Sequence, residues 1–282
     1  MAVEKAALDP ACILRVYYLD DYLLDTLMAH EKSATLDSVG RLVQVIRPGD
    51  AVVTFNYDRL VERCLTERGS EWTFGMIAGG KSGTVPVLKM HGSLDWICFA
   101  RDQRREREGV RLLFSKPDVN REREEGVPAR SGEEEYDLEL FQIVGDDRLG
   151  EYIKGRHIIQ SDHRWGLAGL GPQKRVSQVP GLGVVWERAR QELFHADHIV
   201  VVGFSFSGYD RLAQIEFARV MAGREADGQP APRVTVIDPA LRPEVSGLSD
   251  PGRALLARVE SVFRPASAVG MRHEEFDWHT LP

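Results

Sequence analysis

Four short runs of β-branched and apolar residues, each ending in a polar motif, constrain this chain more than any other feature. They are Ala51 to Phe55 before Asn56-Tyr57-Asp58, and Val85 to Met90 before His91-Gly92-Ser93. The other two are Ile199 to Val202 before Gly203-Phe204-Ser205, and Val234 to Ile237 before Asp238-Pro239. Such continuous apolar runs fit strands buried on both faces of a parallel sheet, not the alternating strands of a half-exposed one. Helical spacing fills the gaps: Leu60, Val61, Cys64 and Leu65 first, then Val184 to Phe194, then Tyr209 to Met221. Strand, short loop, helix and strand in that order predict a doubly wound α/β protein.

The flanking segments read differently. Residues 10–46 are helical by spacing, with Leu14, Tyr17, Tyr18, Leu23, Leu24, Leu27 and Met28 recurring three and four apart. A second helix is expected from Asp37, as N-cap, through Ile46, and Arg47-Pro48-Gly49-Asp50 ends it in a turn. Residues 1–50 thus form a helical N-terminal segment. From Arg101 to Asp147 mixed-sign charge runs dominate, and 101–180 reads as an exposed insertion with one hairpin around Val110 to Phe114. A short helix is expected around Leu255 to Val259. One domain over 1–282 accommodates all of this.

Gly75 to Ser82 matches the spacing of a phosphate-binding loop. That cradle needs a helix opening at its Lys-Ser end, and Gly83-Thr84-Val85-Pro86 cannot start one. A loop or hairpin turn is expected there instead.

Composition narrows the class. Lys and Arg number 36 against 43 Asp and Glu, a net charge of −7, so direct contact with nucleic acid is not expected. The three cysteines, Cys12, Cys64 and Cys98, are too few and too scattered for a disulfide framework or a paired-cysteine zinc ribbon. A reducing, cytoplasmic setting is the expectation. The most apolar stretch, Ile199 to Phe206, falls short of the roughly 20 residues of a membrane helix, so no membrane partner is expected.

Open α/β sheets bind ligands beyond the carboxyl ends of their strands, where all four polar motifs lie. Each has a plainer explanation. Asn56 and Asp58 can cap the following helix, His91 can be a turn histidine, and Gly203 can relieve crowding. Convergence of all four on one ligand site is the stronger reading. Elsewhere, His195 and His198 stand three apart without a third metal ligand, Cys64 reads as core, and His157 and His163 lie in a polar stretch.

Together the residues resemble a family. Thr54-Phe55-Asn56-Tyr57-Asp58, Lys89-Met90-His91-Gly92-Ser93-Leu94-Asp95-Trp96, Trp186 through Asp197, and Val201-Val202-Gly203-Phe204-Ser205 with Asp210 are similar to the bacterial branch of the sirtuin superfamily. Phe276-Asp277-Trp278 looks like the close of such a domain. The resemblance implies a Rossmann-like parallel sheet with helices on both faces, binding NAD as substrate. Carried over by position, Thr54, Phe55 and Asn56 line the NAD site. Asn56 and Asp58 hold the nicotinamide ribose and carboxamide, and His91 is the general base. Gly203 and Ser205 line the adenosine ribose, and Asp238 stands where relatives often place Asn against it.

Zinc is not expected, because the four-cysteine module of deacylating relatives cannot be built here. Its lack fits defence-associated relatives that hydrolyse NAD under control of a regulatory protein partner or by self-assembly. The family also opens with a strand and a Gly-Ala-Gly-type turn, and the first glycine here is Gly40, inside a helical pattern. The expectation is therefore a Rossmann-like fold lacking that N-terminal strand and turn. The leading functional expectation is an NAD glycohydrolase releasing nicotinamide and ADP-ribose. A non-catalytic, truncated assembly or regulatory domain is the alternative, and an NAD-dependent deacylase stands behind both.

Overall fold

The computed structural model describes residues 24, 26–34, 36–76, 83–100, 109–115, 138–145, 163–168, 179–206, 210–244, 247–263, 266–270 and 275–278. Expectations for residues 1–23, for 77–82 and for most of 101–180, His157 included, lie outside them. Residues 26–33 are helical, followed after a break by α1 (Asp37–Val45). Leu36, not Asp37, caps α1, and Asp37 sits inside the first turn, where its charge complements the helix dipole.

The apolar runs become strands as expected. β1 (Val52–Thr54), β2 (Trp72–Thr73) and β3 (Val85–Lys89) form a parallel ladder in the order β1-β3-β2, with α2 (Leu60–Glu67) between β1 and β2. Since β2 and β3 run parallel, they are not the arms of a hairpin, so of the two readings of Gly75 to Ser82 the hairpin turn falls away; residues 77–82 lie outside the described residues. A second parallel ladder has the order β12-β9-β8, from β8 (His198–Val202), β9 (Arg233–Ile237) and β12 (Ala266–Val269). The fold is thus mixed α/β, with its parallel strands in two ladders of three instead of one continuous sheet.

The largest departure begins at His91. The chain does not enter a loop there but runs on as β4 (Gly92–Ala100), the centre of an antiparallel sheet. Its partners are β5 (Val110–Phe114), β6 (Leu138–Ile143) and β7 (His163–Leu167), in the order β5-β6-β4-β7. The described parts of the charged insertion are therefore structural: Val110 to Phe114 is one strand paired antiparallel with β6, and Leu140 and Ile143 are fully buried. Gly92 makes the junction. Its φ is +86°, and a Cβ there would fall 1.9 Å from the Gly166 carbonyl oxygen. A two-stranded ribbon of β10 (Pro243–Glu244) and β11 (Gly247–Leu248) completes the strands.

Three further helices follow from their patterns. α3 (Leu182–His195) buries Leu182, Val185, Trp186, Ala189 and Leu193, spaced three and four apart. α4 (Arg211–Ala226) buries Ala213, Phe217, Val220 and Arg224 at the same spacing. α5 (Asp250–Val262) is longer than its central apolar residues indicated, because Ser249 caps it by accepting the Gly252 N–H at 3.2 Å and a proline occupies its first turn. Of the three, α3 packs against β3 and α4, and α5 against α4 and β12. One apolar core runs through Leu88, Trp96, Trp186, Val201, Phe217 and Val236, joining both ladders and the antiparallel sheet. No helix among the described residues is long and apolar enough to cross a membrane.

Candidate active site

His91 lies at the turn where β3 passes into β4, and it is buried. Several bonds fix that turn. The Met90 N–H donates to the Thr54 carbonyl at 2.9 Å, and the Trp186 indole N–H donates to the Met90 carbonyl at 2.9 Å. The His91 carbonyl accepts the Ala168 N–H at 2.9 Å. A backbone held at both ends in this way leaves the ring little freedom.

Both ring nitrogens have defined neighbours. Nδ1 stands 3.1 Å from the Phe55 carbonyl oxygen, and Nε2 stands 3.3 Å from Asp210 Oδ1. Both neighbours are hydrogen-bond acceptors, so either ring nitrogen can donate; with the proton on Nδ1, Nε2 is the basic nitrogen. A second proton taken up at Nε2 would face the Asp210 carboxylate, which stabilises the resulting cation. The ring also meets Phe55 edge-on at 5.1 Å between centroids, with Tyr57 tilted beside it at 5.9 Å.

Phe55 is the bridge between the ladders. It leaves the end of β1 and stacks on Phe204, just beyond β8, with centroids 4.2 Å apart and planes 12° from parallel. The loop after β8 is itself well fixed. Gly203 donates to the Ile237 carbonyl at 3.1 Å, the Ser205 carbonyl accepts from Arg258 Nε at 2.8 Å, and the Phe206 carbonyl accepts from Gln214 Nε2 at 2.5 Å. Gly203 has φ +59° with open space where a Cβ would stand, so its left-handed backbone, not crowding, calls for glycine. Phe206 adopts φ +48° while fully buried, a strain of order 1–3 kcal/mol that its packing must offset.

The remaining sequence candidates separate. Asp58 does what a cap does: its Oδ1 accepts the Leu60 N–H at 3.1 Å at the start of α2. Asn56 is exposed, and its N–H donates to Thr54 Oγ1 at 3.2 Å. Asp238 accepts the Ala240 N–H through Oδ1 at 2.8 Å, capping the short 3-10 helix Pro239–Leu241. Ser205 is exposed beyond β8. Thus Phe55 meets both His91 and Phe204, and His91 meets Asp210, while Asn56, Ser205 and Asp238 stand just beyond β1, β8 and β9. Asp210 belonged to the sequence motif but carried no role there. Only the fold, which sets the first residues of α4 against the end of β3, reveals its contact with His91.

Among the described residues no His, Cys, Asp and Glu side chains group as metal ligands. His198 Nε2 lies 2.9 Å from Thr235 Oγ1, and burial, aided by the Arg233 charge, pushes its pKa down. Cys64 and Cys98 are buried thiols, and burial pushes the Cys64 pKa up, as befits core residues. Neither a family model nor a curated protein matches the chain.

Proposed function

We propose that the chain binds NAD where the ends of β1, β3 and β8 meet and hydrolyses the bond between its nicotinamide and ribose. The observation that carries this reading is the His91 ring, with Nδ1 committed to the Phe55 carbonyl and Nε2 facing Asp210. That is a buried histidine held by a carbonyl on one ring nitrogen and a carboxylate on the other, set among strand ends as α/β ligand sites are.

The pyridinium of NAD is the leaving group. The C1′–N bond breaks, its electron pair departs with nicotinamide, and charge builds on the ribose as in other glycosidic cleavages. The Asn56 amide orients the carboxamide or the attacking water, and Thr54, Phe55 and the Asp58 turn form the wall beside it. Water oxygen bonds to C1′ and its proton passes to His91 Nε2, where Asp210 balances the charge. Gly203 and Ser205 take the adenosine ribose. The open space at the Gly203 Cβ position leaves bare backbone for a ligand to approach, which supports that placement. Asp238, with Oδ1 used by Ala240, has Oδ2 for a ribose hydroxyl.

Purified protein incubated with NAD and assayed for nicotinamide and ADP-ribose tests the reading. His91→Ala and Asn56→Ala each lower release by about a hundredfold or more. Equal release by all three proteins removes the site assignment. Absence of any calorimetric NAD binding by the intact protein replaces hydrolysis with an assembly or regulatory role.

A further inference from the structure

Beneath the Asn56–Asp58 loop lies a buried charged cluster that the proposed chemistry does not use. Lys89, the last residue of β3, is fully buried. Its Nζ pairs with Glu62 Oε1 at 3.0 Å and donates to the Asp58 carbonyl oxygen. Glu62 on α2 and Asp95 on β4 are also buried, and Asp95 Oδ2 accepts from Gln142 Nε2 at 2.7 Å. Burial above all pushes the Glu62 pKa up; Lys89 opposes this and the Asp95 charge adds to it.

An ammonium in such a place is costly, and an apolar side chain of similar shape would fill the space without the desolvation penalty. What the ammonium adds is a donor to the Asp58 carbonyl. The Phe55–Asp58 run is then tied down along its length. Phe55 meets His91 Nδ1, the Tyr57 carbonyl accepts the Leu94 N–H at 3.0 Å, and the Tyr57 hydroxyl donates to the Ala168 carbonyl at 3.1 Å. Lys89 holds the last of these residues, and it stands two positions before His91 on the same chain segment.

We propose that Lys89 is a positioning residue: its ammonium anchors the Asp58 carbonyl and so sets the Asn56–Asp58 loop against His91. Glu62 is the counter-charge that keeps the ammonium there. This rests on the reading that the loop binds NAD, although the anchoring can be measured without NAD.

The test compares Lys89→Met with Glu62→Gln in one protein, Glu62→Gln alone, and wild type. The double variant removes the donor without leaving a buried charge unpaired, whereas the single one keeps it. Amide hydrogen exchange at Tyr57 to Leu60 rises about tenfold or more in the double variant, and rises also in Glu62→Gln, where the buried ammonium loses its counter-charge. Nicotinamide release shows kcat down about tenfold with KM within about threefold, the signature of a misplaced group. Wild-type exchange at Tyr57 to Leu60 in the double variant overturns the proposal. A wild-type protein that does not turn over NAD overturns the functional reading alone, and the exchange comparison still decides the anchor. Should the double variant fail to fold, Lys89→Gln with Glu62→Gln keeps a polar side chain in the space. Without the ammonium it is expected to show the same rise in exchange, and wild-type exchange in it overturns the proposal likewise.

Discussion

His91 and Asp210 meet with Nε2 3.3 Å from Oδ1, one at the end of β3 and the other at the start of α4. The contact joins the end of the first parallel ladder to the helix whose Phe217 also meets Phe55. Asp210→Asn keeps the shape and removes the charge. Nicotinamide release falls about tenfold or more. The release assay checks this, and release equal to wild type removes Asp210 from proton handling.

Phe204→Ala unstacks Phe55 where the ladders meet. Both rings are partly buried, so the expected loss is about 1–3 kcal/mol, below that of a fully buried phenylalanine. NAD affinity is expected to fall as well, since Phe55 also carries the carbonyl that fixes His91. Urea melts and calorimetry measure the two effects separately.

Gly92→Ala is the most damaging small change predicted. The new methyl collides with the Gly166 carbonyl, and the left-handed backbone disfavours any Cβ. A loss of about 3 kcal/mol or more is expected, seen as a lowered denaturation midpoint or as insoluble protein. Gly203→Ala, with open space around it, suffers only the backbone conflict and loses about 1 kcal/mol.

Acid sensitivity is expected from His198. Its folded pKa is held below the ordinary 6.5 by burial, with the Arg233 charge contributing. The unfolded chain therefore takes up a proton first as pH falls through about 6.5. The stabilising contribution is complete above that value and drains away towards the lower folded pKa. His198→Gln, which cannot titrate, is expected to show a shallower loss of stability between about pH 7 and about pH 5 in thermal melts.

The strands that end at the site were legible because burial on both faces writes itself as an unbroken apolar run. Ile199 to Val202 and Val234 to Ile237 could be read from residue types alone. β4 was not, because its start looks polar: Ser93 and Asp95 are buried there, Asp95 bonded to Gln142 from another strand. β6 was hidden inside a charged stretch, although Glu139 is itself buried and takes a bond from Ser115 Oγ at 2.7 Å. At the site, His91 and Asn56 could be named from their motifs. The service of Lys89 to the Asp58 carbonyl could not, since it is a contact to a backbone atom that only the folded chain brings near. Asp58 takes the capping role that its place before a helix allowed, Oδ1 accepting the Leu60 N–H.

The division of the parallel strands has a thermodynamic consequence. No strand of β1-β3-β2 pairs with one of β12-β9-β8, so side chains such as Phe55 and Phe204 carry the seam between them. A molecule seated across that seam acts as a clamp, adding cohesion to that of the packed rings and of the His91–Asp210 contact. Its occupancy then registers as heat tolerance, with a gain that grows as the logarithm of ligand concentration. Any compound that fits the seam should announce itself by raising the melting temperature, whatever chemistry follows.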